Sequence, residues 1–426
     1  MFIGAGAVPR GARLPTAVRR RSIPTVPLWV PAAGAMATYE SGGSVLTNTW
    51  RSTHNDSIAS AFYSSKMRNA YSGNVGHPTW GDWGGLVLMG GGHANTNYAA
   101  VHMVTFALET MYFERLADTY DWAAADNDTG DISGELNSYG EVTATVGGTL
   151  KIASGHSYGN LVMVNGHLER VMRQAYVYTG GGGDEAQAYH TLDLTNPATA
   201  SSARAWVRQT DTLGAWSATN APAFTAYAAD QNRIYLMTRG SANLRWFDRG
   251  SKAWVTGDNA GWGYPSADTD GGDPVTGVLF AVPERNLVVA AYRQSGNLVL
   301  QYIQTTASQP TVATASLGTT LALPVEGGKA VCWCPHSAKI LVFGVTSNTD
   351  KVYEVTIPAT LTDTWTVDNH TITGGSIDPV AIMTRAGWGC QYHPQIRAVV
   401  FLHDLKHASS SPDTIDRVTV YRPRNT

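Results

Sequence analysis

Apolar residues run along this chain in short bursts of four to eight, broken by Gly, Asn, Asp and Pro, and never settle into the spacing of a long amphipathic helix. Four segments superpose without gaps: Tyr227 to Met237, Phe280 to Ala290, Trp333 to Phe343 and Gln391 to Phe401. In each, a polar or aromatic residue opens a strand and a turn follows (AADQNR, AVPERN, CPHSAK or YHPQIR). A continuous apolar strand then closes the unit: IYLM, LVVA, ILVF or AVVF. This grammar predicts a β-hairpin. Successive units start 53, 53 and 58 residues apart, so the hairpins belong to a long-period repeat rather than to a simple sandwich.

Two earlier units are looser. LVLMGGGH, Leu86 to His93, is followed by VHMVTFAL and MYFERL; AYVYTGGGG, Ala175 to Gly183, is followed by YHTLDL and ARAWVRQ. With the apolar strand as the ruler, positions 86, 175, 234, 287, 340 and 398 mark six repeats. The expected fold is therefore all-β, a β-propeller of six four-stranded blades. A seventh blade inside the 89-residue first interval is the alternative, but Thr119 to Gly155 is rich in Asp, Asn, Gly and Ala and reads as an inserted loop. A ring must also close, because an open one leaves strand edges unpaired. Outer strands carry Trp with a β-branched neighbour (Trp206-Val207, Trp254-Val255, Trp365-Thr366), and the last unit, IDRVTVYRP, lacks one. Trp29-Val30 supplies it, so residues 26–31 are expected to complete the last blade, leaving 1–24 as an arm outside a single propeller domain of residues 25–426.

Four-stranded blades gather the connections between blades on one face, and here those connections are long: Thr119 to Gly155, Gln209 to Pro222, Asp258 to Pro274 and Gly374 to Gly387. Loops on a rigid scaffold are where binding concentrates. The side chains expected near the channel on that face are His93, Asn95, His156, Tyr158, Arg239, Arg293, Trp388 and His403. Such a set serves either of two chemistries. It can bind glycans, by stacking on sugars and hydrogen-bonding their hydroxyls. It can also cleave uronic-acid polysaccharides by β-elimination, with His or Tyr as base, Tyr as acid and Arg offsetting the carboxylate.

Charge narrows the partners. Thirty basic and 33 acidic side chains give a net charge of -3, without the basic excess that nucleic acid attracts. No apolar stretch reaches the roughly 18 residues of a membrane span. The first 38 residues hold Arg10, Arg13, Arg19, Arg20 and Arg21 and no acid, but the apolar run Met1 to Val8 precedes them, which is the wrong order for a secretory signal. A transit peptide or an arm that docks on a partner protein fits this composition. Cys332, Cys334 and Cys390 are too few for a disulfide framework. Alternation puts Cys332 and Cys334 on one strand face, with Cys390 at the register of Cys332 one blade on. A zinc site there would need His336 or His393 as well, and buried unreactive thiols are the simpler reading. DNDTGD, Asp126 to Asp131, and DTDGGD, Asp268 to Asp273, have the composition of calcium loops without the twelve-residue pattern; Asp268, Asp270 and Asp273 are the candidate Ca ligands.

The GGGH and GGGG strand ends, the Trp-Val outer strands and the period resemble kelch or galactose-oxidase-type propellers over residues 26–426. Copper-radical chemistry does not come with the resemblance, since that family's site uses a Cys crosslinked to Tyr and all three cysteines here fall in innermost-strand segments. GGGHANTN with SGHSYGN is also similar to ulvan-lyase-like propellers, which implies His93 and His156 as the acting histidines, Tyr158 as the acid and Arg239 as the carboxylate partner. Kelch-like propellers with docking arms resemble phage tail components. The expectation is a noncatalytic recognition or assembly module, on a phage virion or bacterial surface, within a homo-oligomeric assembly. It would bind glycan or protein and dock through residues 1–24, needing no cofactor; a polysaccharide lyase is the alternative.

Overall fold

The computed structural model describes residues 25–40, 43–51, 73–89, 101–117, 141, 152, 161–171, 189–200, 203–210, 223–238, 243–263, 277–324, 327–378, 390–402 and 417–425. They form six sheets in a ring, each built on an antiparallel four-stranded blade. Blade 1 comprises Gly73–His77, Gly85–Met89, Val101–Phe106 and Met111–Ala117; blade 2 comprises Leu161–Val164, His167–Val171, Tyr189–Asp193 and Trp206–Arg208. Blade 3 comprises Ala223–Ala228, Arg233–Thr238, Asn243–Asp248 and Ala253–Ala260; blade 4 comprises Gly277–Val282, Leu287–Gln294, Asn297–Gln304 and Ala313–Thr314. Blade 5 comprises Val331–Cys334, Lys339–Val345, Asn348–Thr356 and Thr366–Thr371. Blade 6 takes Gln391–His393, Ala398–Leu402 and Arg417–Tyr421 from the C-terminal end, and its outer strand, Met36–Glu40, from the N-terminal end. The innermost strands neighbour one another in sequence around the ring, with Gln391–His393 returning to Gly73–His77. Among the described residues, blade 1 alone carries a fifth strand, Leu46–Arg51, added in parallel outside Met111–Ala117.

The closing strand corrects the sequence expectation. Residues 28–30 form a turn, with the Val30 N–H on the Pro27 carbonyl at 3.1 Å, and the strand begins at Met36, paired from Met36↔Tyr421 to Glu40↔Arg417. Proline explains the shift: Pro27 and Pro31 have no N–H to give a ladder and they bracket Trp29-Val30. Trp29 instead becomes a plug. It sits at 6% exposure in a core shared by Leu86, Val104 and Phe106 of blade 1 and Val400, Val418 and Val420 of blade 6. Its indole N–H donates to the Ala107 carbonyl at 2.8 Å, and its own carbonyl accepts from the Tyr39 hydroxyl.

Blade 2 corrects the ruler. Its second strand is His167–Val171, while Ala175 to Gly183 lies outside the described residues. The hairpin turns on Asn165-Gly166, whose φ values of 50° and 80° are those of a two-residue turn that Asn-Gly adopts readily. Of the segment 119–155, Glu141 and Ile152 are described and pair as an isolated bridge. Glu141 is buried, accepting from Arg208 at 2.9 Å and lying 3.0 Å from His190 Nε2.

The four superposed hairpins share one turn. The last turn residue is left-handed in all of them: Asn232, Asn286, Ala338 and Arg397, with φ between 50° and 52°. Asn tolerates that conformation, whereas alanine meets its Cβ clash at about 1–2 kcal/mol. Ala338 is exposed, so Ala338→Asn should raise stability by about 0.5–1 kcal/mol, read as a higher thermal or denaturant midpoint.

Candidate functional site: the central channel

The innermost strands enclose a cavity of about 400 Å³, within the range of small-molecule sites. All six blades line it, from Asn74 and Val75 of blade 1 to Gln391 and Tyr392 of blade 6, and the wall is mainly apolar.

Most polar groups along this wall stitch one blade to the next. The Gln391 side chain accepts from the Gly76 N–H at 2.6 Å and donates to the Asn74 carbonyl and to Asn74 Oδ1, both at 2.9 Å, joining blade 6 to blade 1. At the end of the channel where each first hairpin turns, a second pattern recurs. The second turn residue of blades 3, 4 and 5 meets a side chain of the following blade. Thr305 Oγ1 donates to Asp230 Oδ2 at 2.6 Å, Trp333 Nε1 donates to Glu284 Oε2 at 3.1 Å, and the Tyr392 hydroxyl lies 2.7 Å from His336 Nδ1. Between blades 2 and 3 the clasp is ionic: Arg249 meets buried Glu169 at 2.6 Å, and Tyr189 donates to the same carboxylate.

Burial sets the acid-base character of the groups in this wall and of those packed behind it, His393 and Cys334 among the latter. It pushes the Cys332 thiol well up, reinforced by Cys390 beside it, and raises Cys334. Burial, then the neighbouring Cys334, holds the Tyr392 hydroxyl above the usual phenol range. His393 is 1% exposed and burial lowers its pKa to about 3, so its ring is neutral. The ring lies edge-on to Phe106 at 5.0 Å, against Gly76, where a Cβ would fall 3.0 Å from His393 Cε1; the glycine makes this approach possible.

Of the residues expected on the loop face, Arg293 is described. It lies in the second strand of blade 4, and its Nε donates to the Leu323 carbonyl at 2.9 Å, fastening the connection to blade 5. His93, Asn95, His156, Tyr158, Arg239, Trp388 and His403 lie outside the described residues, as do Asp268, Asp270 and Asp273. Cys332, Cys334 and Cys390 are buried and free, and among the described residues no group of three His, Cys, Asp or Glu side chains is placed to hold a metal ion.

Tyr227, Glu284, Trp333 and Tyr392 lie at the opposite end of the channel from the long connections, and a register slip separated Tyr392 from Tyr227 and Trp333. Turn-closing pairs Ala228↔Arg233, Val282↔Leu287, Cys334↔Lys339 and His393↔Ala398 make Tyr227, Ala281, Trp333 and Tyr392 equivalent. The gapless superposition is one residue out in blades 4 and 6, and Cys390 therefore matches Val331 rather than Cys332. Aligning Pro283, Pro335 and Pro394, each the first residue of its turn, would have fixed the register.

No protein-family model matches the sequence, and a search of curated proteins finds no relative. Among solved structures, the major Malassezia sympodialis allergen Mala s 1 is similar at 9% identity and a TM-score of 0.43, with 82% of this chain and 95% of that one covered. The Cps50 (Swd1) β-propeller domain of Myceliophteria thermophila is similar at 10% identity and a TM-score of 0.40, covering 84% and 98%. The Dos1 propeller is similar at 8% identity and a TM-score of 0.34, covering 80% and 65%. At these values nothing of those proteins' roles transfers to this chain.

Proposed function

We propose that the chain is a noncatalytic recognition and assembly module. In this reading it belongs to a homo-oligomeric structure on a phage virion or bacterial surface, binds glycan or protein on the face of the long connections, and docks through residues 1–24. The observation that carries it is the use of the channel's polar groups. The Gln391 amide, the Trp333 indole and the Tyr392 hydroxyl are spent on neighbouring blades. Among the lining thiols, Cys332 is pushed well up by burial and is a poor proton carrier near neutrality. Such a channel is a rigid hub that presents loops. The seating of residues 27–30 on blade 1, where the Leu28 N–H meets the Leu108 carbonyl at 2.8 Å and both side chains stay exposed, supports an arm that leaves the ring at an apolar spot.

The test has two parts. On a panel of glycans that includes uronic-acid polysaccharides, the protein should bind without generating the ultraviolet absorbance of unsaturated uronates. A rise in absorbance that His93→Ala abolishes would replace this reading with β-elimination. Deleting residues 1–24 should leave a folded ring that no longer assembles; assembly by the truncated chain contradicts the docking arm.

A further inference from the structure

The hairpin-turn end of the channel is built differently from the rest of its wall. Tyr227, Trp333 and Tyr392, from blades 3, 5 and 6, occupy one level, the next-to-last position of the innermost strand, and Phe280 of blade 4 lies one residue deeper. All four line the cavity, and Glu284 is the one charged side chain among the described residues that do so. Its Oε2 is fixed by the Trp333 indole N–H, which leaves Oε1 for another donor. Glu284 is exposed and Tyr227, Phe280 and Tyr392 are partly so, so these three rings and the carboxylate are reachable from solvent; Trp333 is buried behind them at 9% exposure and presents its N–H edge to Glu284. Arg285, next to Glu284 in the chain, is committed to the Ile357 and Pro358 carbonyls at 3.2 and 2.6 Å, while Arg397 acts on Tyr392 and His336 from the blade 6 side.

Aromatic faces carry negative quadrupole potential and attract a cation held over them, and a nearby carboxylate adds its own charge to that attraction. We infer that this mouth binds a small organic cation: a quaternary or protonated ammonium with an apolar body, its charge between Glu284, which Trp333 orients, and the partly exposed rings of Phe280 and Tyr392. The site lies at the opposite end of the channel from the long connections and stands independently of the glycan-or-protein reading.

Calorimetric titration of the full chain at low ionic strength tests it, using phenyltrimethylammonium, its neutral isostere tert-butylbenzene, and benzenesulfonate. The cation should bind at one site, the isostere several-fold more weakly, and the sulfonate not at all. Glu284→Gln, at an exposed position, should weaken the cation about threefold to fivefold while leaving the isostere unchanged. Tyr392→Phe, which keeps the ring face, should retain binding, and Tyr392→Leu should lose it. Absence of cation binding, equal affinity for the isostere, or indifference to Glu284→Gln overturns the inference.

Discussion

Trp29→Ala is expected to destabilise the protein by about 3–5 kcal/mol, the usual cost of removing a large buried aromatic side chain. The position is unusual in what it joins. Its ring contacts Phe106 of blade 1 at 5.6 Å and Tyr39 of the closing strand at 6.1 Å, within a core that also holds Val418 and Val420. The indole donates to Ala107 in the turn between the outer two strands of blade 1. Truncation therefore opens a cavity at the one seam where the ring is held by the two ends of the chain, and strands a hydrogen-bond acceptor. Equilibrium denaturation measures the loss, with Trp29→Phe expected to recover much of it. A cost under about 1 kcal/mol for Trp29→Ala would show that the seam does not depend on this plug.

Acid should destabilise the ring through His393. Its pKa is depressed by burial to about 3, against about 6.5 in an unfolded chain. Below pH 6.5 the unfolded state binds a proton that the folded state does not, so stability is fully present above that pH and falls as pH drops toward 3. The slope from this group approaches about 1.4 kcal/mol per pH unit. Nε2 of His393 is buried without a hydrogen-bond partner among the described residues, so protonation there would leave a poorly compensated cation beside Phe106. His77 and His190, lowered in the same direction chiefly by burial, add to the trend. Denaturation midpoints between pH 7 and 4 should fall steeply in the wild type and less steeply in His393→Leu. Parallel profiles for the two proteins would remove His393 as the cause.

The architecture was legible because the innermost hairpins of blades 3 to 6 repeat a strand, a four-residue turn and an apolar strand, and because the outer Trp206, Trp254 and Trp365 recur at matching places. What escaped was finer than a repeat. Trp29-Val30 has the composition of an outer strand, but Pro27 and Pro31 withhold the backbone donors, and the pairing moved to Met36–Glu40, whose sequence MATYE carries no Trp. The second strand of blade 2, HLERV, carries buried Glu169 and Arg170 where its counterparts are apolar, so an apolar ruler passed over it. The channel mouth was missed because a one-residue slip moves a side chain to the other face of its strand, and Tyr392 and Trp333 were therefore not seen as a set. Of the loop-face residues chosen from the sequence, Arg293 falls among those described, and it ties down a blade connection.

The central claim is that the N-terminal strand completes the C-terminal blade, and a crosslink measures it most directly. Thr38 and Thr419 face each other in that pairing with their Oγ1 atoms 2.8 Å apart. A Thr38→Cys, Thr419→Cys protein, oxidised gently while Cys332, Cys334 and Cys390 stay buried, should form a disulfide within one chain. Peptide mapping would find the two ends linked in a monomer. Failure to link, or linkage only between two chains, would contradict closure of the ring by its own ends.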